Sequence, residues 1–298
     1  MLPVFGTRLK RPQLVQLLYK ELLGRSARPE EMDEALRLLW RTRLSEAAAA
    51  LMERLFDEEE ASAKLGPRLL AKPRTHDEET NEAIEFVVSL GTHCFTSSML
   101  QRLRLRPFAG PFDWLFTNIG MIAHCVQDDF KVFLDPKFFE VVPSSQRPDP
   151  KENLCEHSYY RTEFGQRFVF NHTDPTTTEG FAYLTRCVQR MRAVLASPAR
   201  KLFVCVLGRP AYSPEAFREL VNALTTRSNQ LALLCLVVEQ TAPGATMPEI
   251  ELKEKAPPYE VFSITPVSTL GGTRFADPID EVVIARIVCR KKFNLSQI

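Results

Sequence analysis

Four apolar segments limit the fold of this chain more than any other feature: IEFVVSL (84–90), KLFVCVLG (201–208), LALLCLVV (231–238) and YEVFSIT (259–265). Each has the length of a strand and little of the polar alternation that marks a strand with one wet face. Such runs are expected where both faces of a sheet are covered. Helical spacing follows or precedes each of them, in FTSSMLQRLRL, IGMIAHCVQDDFKVFL, GFAYLTRCVQRMRAVLA, SPEAFRELVNALTTR and DEVVIARIVCRKK, and a further strand is read at RFVFN (167–171). Strands alternating with helices of this length predict an α/β fold: a mostly parallel sheet flanked by helices.

The N-terminal part has a different character. From 12 to 62, Leu14, Leu17, Leu18 and Leu22 recur at helical spacing, Gly24 offers a stop, Pro29-Glu30-Glu31 reads as a first turn and Ser45 as an N-cap. This is read as a small all-α bundle, an accessory domain that could dock a protein partner. Residues 63–82 carry Gly66, Pro67, Pro73 and the charge-rich RTHDEETNE, and read as a linker. The α/β domain is expected over 83–298.

Charge and cysteine usage exclude several classes. Thirty-eight Lys and Arg against 37 Asp and Glu leave a net charge of +1, so no overall field draws the chain to nucleic acid. Apolar runs stop well short of the roughly 20 residues of a membrane span, and MLPVFGTRLKRPQ lacks a signal-peptide core, so a cytoplasmic location is expected. The seven cysteines contain no C-x-x-C pair, and most sit in apolar strings as packing groups. His157 in CEHSYY has no partner at ligand spacing, and no Gly-x-Gly-x-x-Gly follows a strand. Neither a metal nor a cofactor is implied.

In a parallel sheet, ligands bind where strands end and helices begin. Ser89-Leu90-Gly91-Thr92-His93-Cys94 lies at such a place. Gly91 allows a sharp turn, and the start of the next helix should favour a Cys94 thiolate, making this the best nucleophile in the chain; the alternative is a packing cysteine. In Gly110-Pro111-Phe112-Asp113-Trp114, Asp113 either orients a histidine or binds a hydroxyl, or else caps the following helix. His172, after the strand FVFN, supplies a base, with Asp113 or Asp174 to fix its tautomer. His93 and Trp114 are expected to line the pocket, Arg209 to hold an anionic substrate group, and N–H groups near Gly91 and Phe95 to steady an oxyanion. Arg186, Arg190 and Arg192 project from one helix, as a solvated face or an anion site.

The segment SLGTHCFTSSMLQRLRLRPFAGPFDWLF resembles a bacterial family of putative papain-like cysteine peptidases, whose members show Ser-Leu-Gly-x-x-Cys and then Pro-Phe-Asp-Trp. FVFNHT and YLTRCVQRMRAVLASPARKLFVCV extend the resemblance over about 84–240. Carried over, it implies Cys94, Asp113 and His172 as the site. A cysteine directly after a buried strand is also similar to the nucleophile turn of flavodoxin-like acyl hydrolases. The stretch LLYKELLGRSARPEEMDEALRLLW resembles a second bacterial domain, marked by Tyr-x-x-Leu-Leu-Gly-Arg and found beside glycosyltransferases.

The expectation is therefore a cysteine-dependent hydrolase or acyltransferase acting on a small-molecule, peptide or glycan substrate. The rival reading is a transferase or binding protein of glycan or exopolysaccharide metabolism, with Cys94 structural and Asp113, His172 and Arg209 holding the ligand. A non-enzymatic scaffold is the third.

Overall fold

The computed structural model describes residues 83–147, 149, 151–241, 248–291 and 293–296, together with 26–41 and Pro12, Val15, Gln16 and Tyr19. The linker expected at 63–82 and most of the bundle expected at 12–62 lie outside the described residues. Within that bundle, α1 (Pro29–Arg41) begins at the anticipated proline, with Glu30 and Glu31 in its first turn.

The α/β core opens with β1 (Phe86–Ser89), α2 (Cys94–Arg102) and α3 (Ile119–Gln127). A small excursion follows: β2 (Phe139–Val141), β3 (Cys155–His157) and α4 (Ser158–Phe164). The chain then alternates through α5 (Thr178–Ala196), β4 (Lys201–Gly208), α6 (Pro214–Arg227) and β5 (Leu231–Val238). It ends with β6 (Glu249–Ala256), β7 (Tyr259–Thr265), the two-residue strands β8 (Leu270–Gly271) and β9 (Arg274–Phe275), and α7 (Pro278–Cys289).

Five strands form the main sheet in the order β1-β4-β5-β7-β6. The first three pairings are parallel, and β6 closes the sheet antiparallel to β7 with an irregularity between Leu252 and Glu254. Strand alternation divides the core in two. Phe86, Val88, Phe203, Cys205, Leu207, Cys235 and Val237 face the layer of α3, α5 and α6. Val87, Leu202, Val204, Val206, Leu234, Leu236 and Ile264 face α2 and α7. Both faces are covered, which is why β4 and β5 are continuous apolar runs. The C-terminal segment covers the start of β1: Phe293 bridges Ile84, and Asn294 donates its N–H to the Ile84 carbonyl at 2.8 Å.

Three expectations need correction. RFVFN is not a strand of the main sheet: Phe168 has φ of 52°, and only Phe170 pairs, as an isolated antiparallel bridge to Cys155. The helix expected through 134 stops at Gln127, because Asp129 and Phe130 both have φ of 58° and break the spiral. The edge strand β6, EIELKEKA, was not anticipated; it is mostly exposed and charged, as edge strands commonly are. Among the described residues, no helix is long and apolar enough to cross a membrane.

Candidate active site

The turn from β1 into α2 is tied down from several sides. A Cβ on Gly91 would lie 2.8 Å from the His93 carbonyl oxygen, so only glycine fits this close approach. Thr117 donates its N–H to the Thr92 carbonyl at 3.0 Å and its hydroxyl to the Gly91 carbonyl at 2.8 Å. His93 is the N-cap of α2: its Nδ1 accepts the Phe95 N–H at 3.2 Å, and burial holds its pKa below the usual histidine value. The neutral ring is the form that can accept. His93, expected to line the pocket, is thus engaged by its own helix. The Phe95 N–H goes to His93, and the Gly91 N–H to Ser89 Oγ at 3.3 Å, so the two backbone donors expected for an oxyanion are both occupied.

Cys94 is the first residue of α2 and is 5% exposed. Burial pushes its thiol pKa up; its own backbone N–H and the Asn171 side chain pull it down, and the Glu152 carboxylate raises it further. The thiolate expected from the helix dipole is therefore outweighed by desolvation. At neutral pH Cys94 rests as a thiol, and nucleophilic chemistry at this position would require a base to take its proton.

The segment around Phe170, which is not a strand of the main sheet, brings the Asn171 side chain within hydrogen-bonding influence of this sulfur, with His172 as the next residue along the chain. Asn171 is 3% exposed. Its Oδ1 accepts the Asn153 N–H at 2.7 Å, and this fixes the amide so that Nδ2 lies 2.9 Å from His172 Nε2. Nδ2 can only donate, so Nε2 accepts and the neutral imidazole carries its proton on Nδ1. Asn153 has φ of 51°, a left-handed conformation that asparagine tolerates better than most residues. His172 itself is exposed. Asp174 makes a local turn, its Oδ1 accepting the Thr176 N–H at 2.9 Å and the Thr176 hydroxyl at 2.6 Å.

Asp113 serves a neighbouring cluster. Its Oδ2 accepts from Arg106 Nη1 at 2.6 Å and from the Gly110 N–H at 2.8 Å, and none of its hydrogen bonds reaches His172. It does not cap a helix either: the N-cap of α3 is Asn118, whose side chain accepts the Met121 N–H. Burial pushes the Asp113 carboxyl upward in pKa, opposed by the Arg106 charge. Arg106 also donates to Ser97 Oγ at 3.0 Å and lies 5.4 Å from the centre of the half-buried Trp114 ring. Ser97 is one helical turn beyond Cys94, so this cluster braces the face of α2 that carries the thiol.

Arg209, at the end of β4, is 57% exposed and sits 3.8 Å from Glu239 and 5.7 Å from the centre of the Tyr212 ring. A separate polar cleft of about 440 Å³ is lined by Glu140, Glu156, Arg161 and Arg167. His157 is internal, with Nε2 at 3.1 Å from the Val132 carbonyl. No group of three or more metal-ligating side chains occurs among the described residues.

Asn171, Asn153, Glu152 and Arg106 were not singled out from the sequence. The only hint of Asn171 was its place beside His172 in FVFNHT. Nothing in the spacing marks Asn153 or Arg106, whose partners are 18 and 7 residues away.

No match was found among curated proteins or solved structures. A family model described as "Putative papain-like cysteine peptidase (DUF1796)" covers residues 85–241. The span takes in β1 through β5 and holds Cys94, Asp113, Asn153, Asn171 and His172. It is more than half of the 298 residues, and the chain belongs to this putative papain-like cysteine peptidase family.

Proposed function

We propose that the chain is a cysteine-dependent acyl hydrolase or acyltransferase, with Cys94 as nucleophile, His172 as base and Asn171 as the group that holds both. The observation that carries this reading is the placement of the Asn171 amide, fixed by Asn153, against His172 Nε2 and within hydrogen-bonding influence of the Cys94 sulfur. In the resting site one amide hydrogen meets Nε2. On substrate binding, Nε2 takes the thiol proton, and the amide then donates to the thiolate as it attacks the carbonyl carbon. Collapse of the tetrahedral intermediate sends the proton from the imidazolium to the leaving group and leaves an acyl group on sulfur. Water or another acceptor removes that group, with His172 again as base. Asp113, Arg106 and Ser97 brace α2 in this scheme and take no part in proton transfer.

The test is acyl capture. Incubation with nitrophenyl esters should release nitrophenol and give, by peptide mass analysis, an acyl group on Cys94. Cys94→Ser and His172→Ala should each lower turnover by at least a hundredfold, the usual weight of a nucleophile or base. Turnover that survives Cys94→Ser would leave the cysteine a packing residue and sink the reading.

A further inference from the structure

The polar cleft beside the β2 and β3 ribbon has a make-up that packing does not call for. Glu140 and Glu156 are cross-strand partners in the antiparallel register, so they stand side by side on one face. Like charges directly opposite destabilise a strand pair. Each carboxylate is answered by its own arginine: Arg161 Nη1 donates to Glu140 Oε2 at 2.7 Å, and Arg167 Nε donates to Glu156 Oε1 at 3.3 Å. All four side chains line the same cavity of about 440 Å³, the size of a small-molecule site.

The donors that these pairings leave over have a definite geometry. Arg161 engages through Nη1 alone, so among the described residues its Nε and Nη2, which share one edge of the guanidinium, have no protein partner. Arg167 engages through Nε alone, which leaves its Nη1 and Nη2 edge open in the same way. Each edge is a two-donor fork that matches the two oxygens of a carboxylate. The Arg167 fork is firmly held. Its partner Glu156 is 6% exposed and takes the Phe168 N–H on its second oxygen at 2.8 Å, and the guanidinium lies 4.6 Å from the centre of the Phe168 ring. Val141, an exposed apolar side chain, and Pro143 line the cleft as well and offer a surface for a short carbon chain.

We propose that this cleft binds a small dicarboxylate, with one carboxylate on the Arg161 fork, the other on the Arg167 fork, and the carbon chain against Val141 and Pro143. Glu140 and Glu156 orient the guanidiniums, which lowers the ordering cost of binding, while their charge keeps the affinity modest. The site stands apart from the proposed chemistry at Cys94: none of the hydrogen bonds of these four side chains reaches Cys94, Asn171 or His172.

An NMR titration of the full chain at fixed ionic strength tests this, with succinate, glutarate and adipate as probes and butyrate and succinamide as controls. At least one dicarboxylate should shift the amide signals around 140–143 and 167–168 in a saturable way, with a dissociation constant on the order of 1 mM for a ligand of this size. Butyrate fills one fork and should bind about tenfold more weakly or worse, and succinamide should not saturate. Arg161→Gln and Arg167→Gln should each weaken the dicarboxylate by about tenfold or more. Arg161→Lys keeps the charge but loses the fork, so it should remain several-fold weaker than wild type. Glu140→Gln keeps an oxygen for Arg161 and removes a repelling charge, so binding should tighten roughly twofold to fivefold.

The arginines are on the surface of the cleft, and an unchanged unfolding temperature verifies that each variant keeps the fold. Absence of saturation with all three dicarboxylates up to about 50 mM overturns the proposal. Affinity that survives both Arg161→Gln and Arg167→Gln does the same, as does butyrate binding as tightly as the best dicarboxylate. Cys94→Ser should bind the dicarboxylate as the wild type does, so the fate of the nucleophile reading is decided separately.

Discussion

Nδ2 of Asn171 lies 2.9 Å from Nε2 of the neighbouring His172, although adjacent residues in extended chain usually point apart. The departure is local: the chain leaves its bridge at Phe170 and turns, and Asn153 pins the amide from the other side at 2.7 Å. A peptide-adjacent pair thereby becomes a hydrogen-bonded pair, and the same amide also acts on the buried Cys94 thiol.

Asn171→Ala should therefore change the chemistry of Cys94 as well as that of His172. The amide favours the thiolate, so its loss leaves burial and Glu152 to act with less opposition. The pH profile of Cys94 alkylation by iodoacetamide should move to higher pH, with several-fold slower reaction at neutral pH. Asn171→Asp should slow it further, since a carboxylate repels the thiolate that the amide stabilised. A profile identical to wild type in both variants would remove Asn171 from the site.

Arg106→Met tests the buried brace on α2. Asp113 and Arg106 have side chains 2% and 13% exposed, so removing the cation leaves a nearly buried carboxylate with a single backbone donor. The expected cost in denaturant unfolding is about 3–5 kcal/mol, and Asp113→Asn in the same background should recover part of it. The pH dependence has a definite sign. A carboxyl raised above its unfolded value binds more protons in the folded state, so stability falls as pH rises from the ordinary carboxylate range through the raised value. Arg106 limits that fall in the wild type, and Arg106→Met should be the more strongly stabilised by acid.

The sequence made the main sheet readable because β4, β5 and β7 are buried on both faces, and no other element explains such runs as KLFVCVLG and LALLCLVV. The helix α5 was equally readable from its periodic apolar face. The charged strand β6 was not, since what makes it a strand is pairing with β7, a long-range property. The site was half readable. Cys94 announces itself by its place after a strand and a glycine, and His172 by its place at the end of an apolar run. The Asn171 amide, which meets His172 and acts on the Cys94 thiol, is set by left-handed turns at Asn153 and Phe168, and backbone choices of that kind carry no periodic signal. The sign of the Cys94 shift was missed for a related reason: the dipole follows from sequence position, whereas burial is a property of the folded packing.

Gly180→Ala probes how His172 is carried. A Cβ at Gly180 would stand 1.9 Å from the Asp174 carbonyl oxygen, a backbone atom that cannot rotate away. The 172–174 turn must move or α5 must lose its first turn. Stability should drop by about 1–3 kcal/mol or more, with slower acyl capture at Cys94 as the imidazole shifts. Gly208→Ala is the control, because its nearest neighbour is Pro210 Cδ at 3.8 Å; it should unfold at the wild-type temperature.

His157 should set much of the acid sensitivity of the fold. It is fully buried, with Nε2 against the Val132 carbonyl at 3.1 Å and Nδ1 accepting the Tyr160 N–H at 3.4 Å, while its ring stacks on Phe138 at 5.4 Å. Burial lowers its pKa to about 4. Between that value and the ordinary histidine value near 6.5, the unfolded chain binds a proton that the folded chain refuses. The stabilisation is complete above the ordinary value and drains away as pH falls through this window, amounting to roughly 3 kcal/mol when integrated. Protonation would also remove the acceptor that caps α4. His157→Asn keeps a capping oxygen but cannot titrate. Urea unfolding should find the variant weaker than wild type at pH near 7.5, with the gap closing at pH near 5; an equal gap at both would show that the ring keeps its neutral form for free.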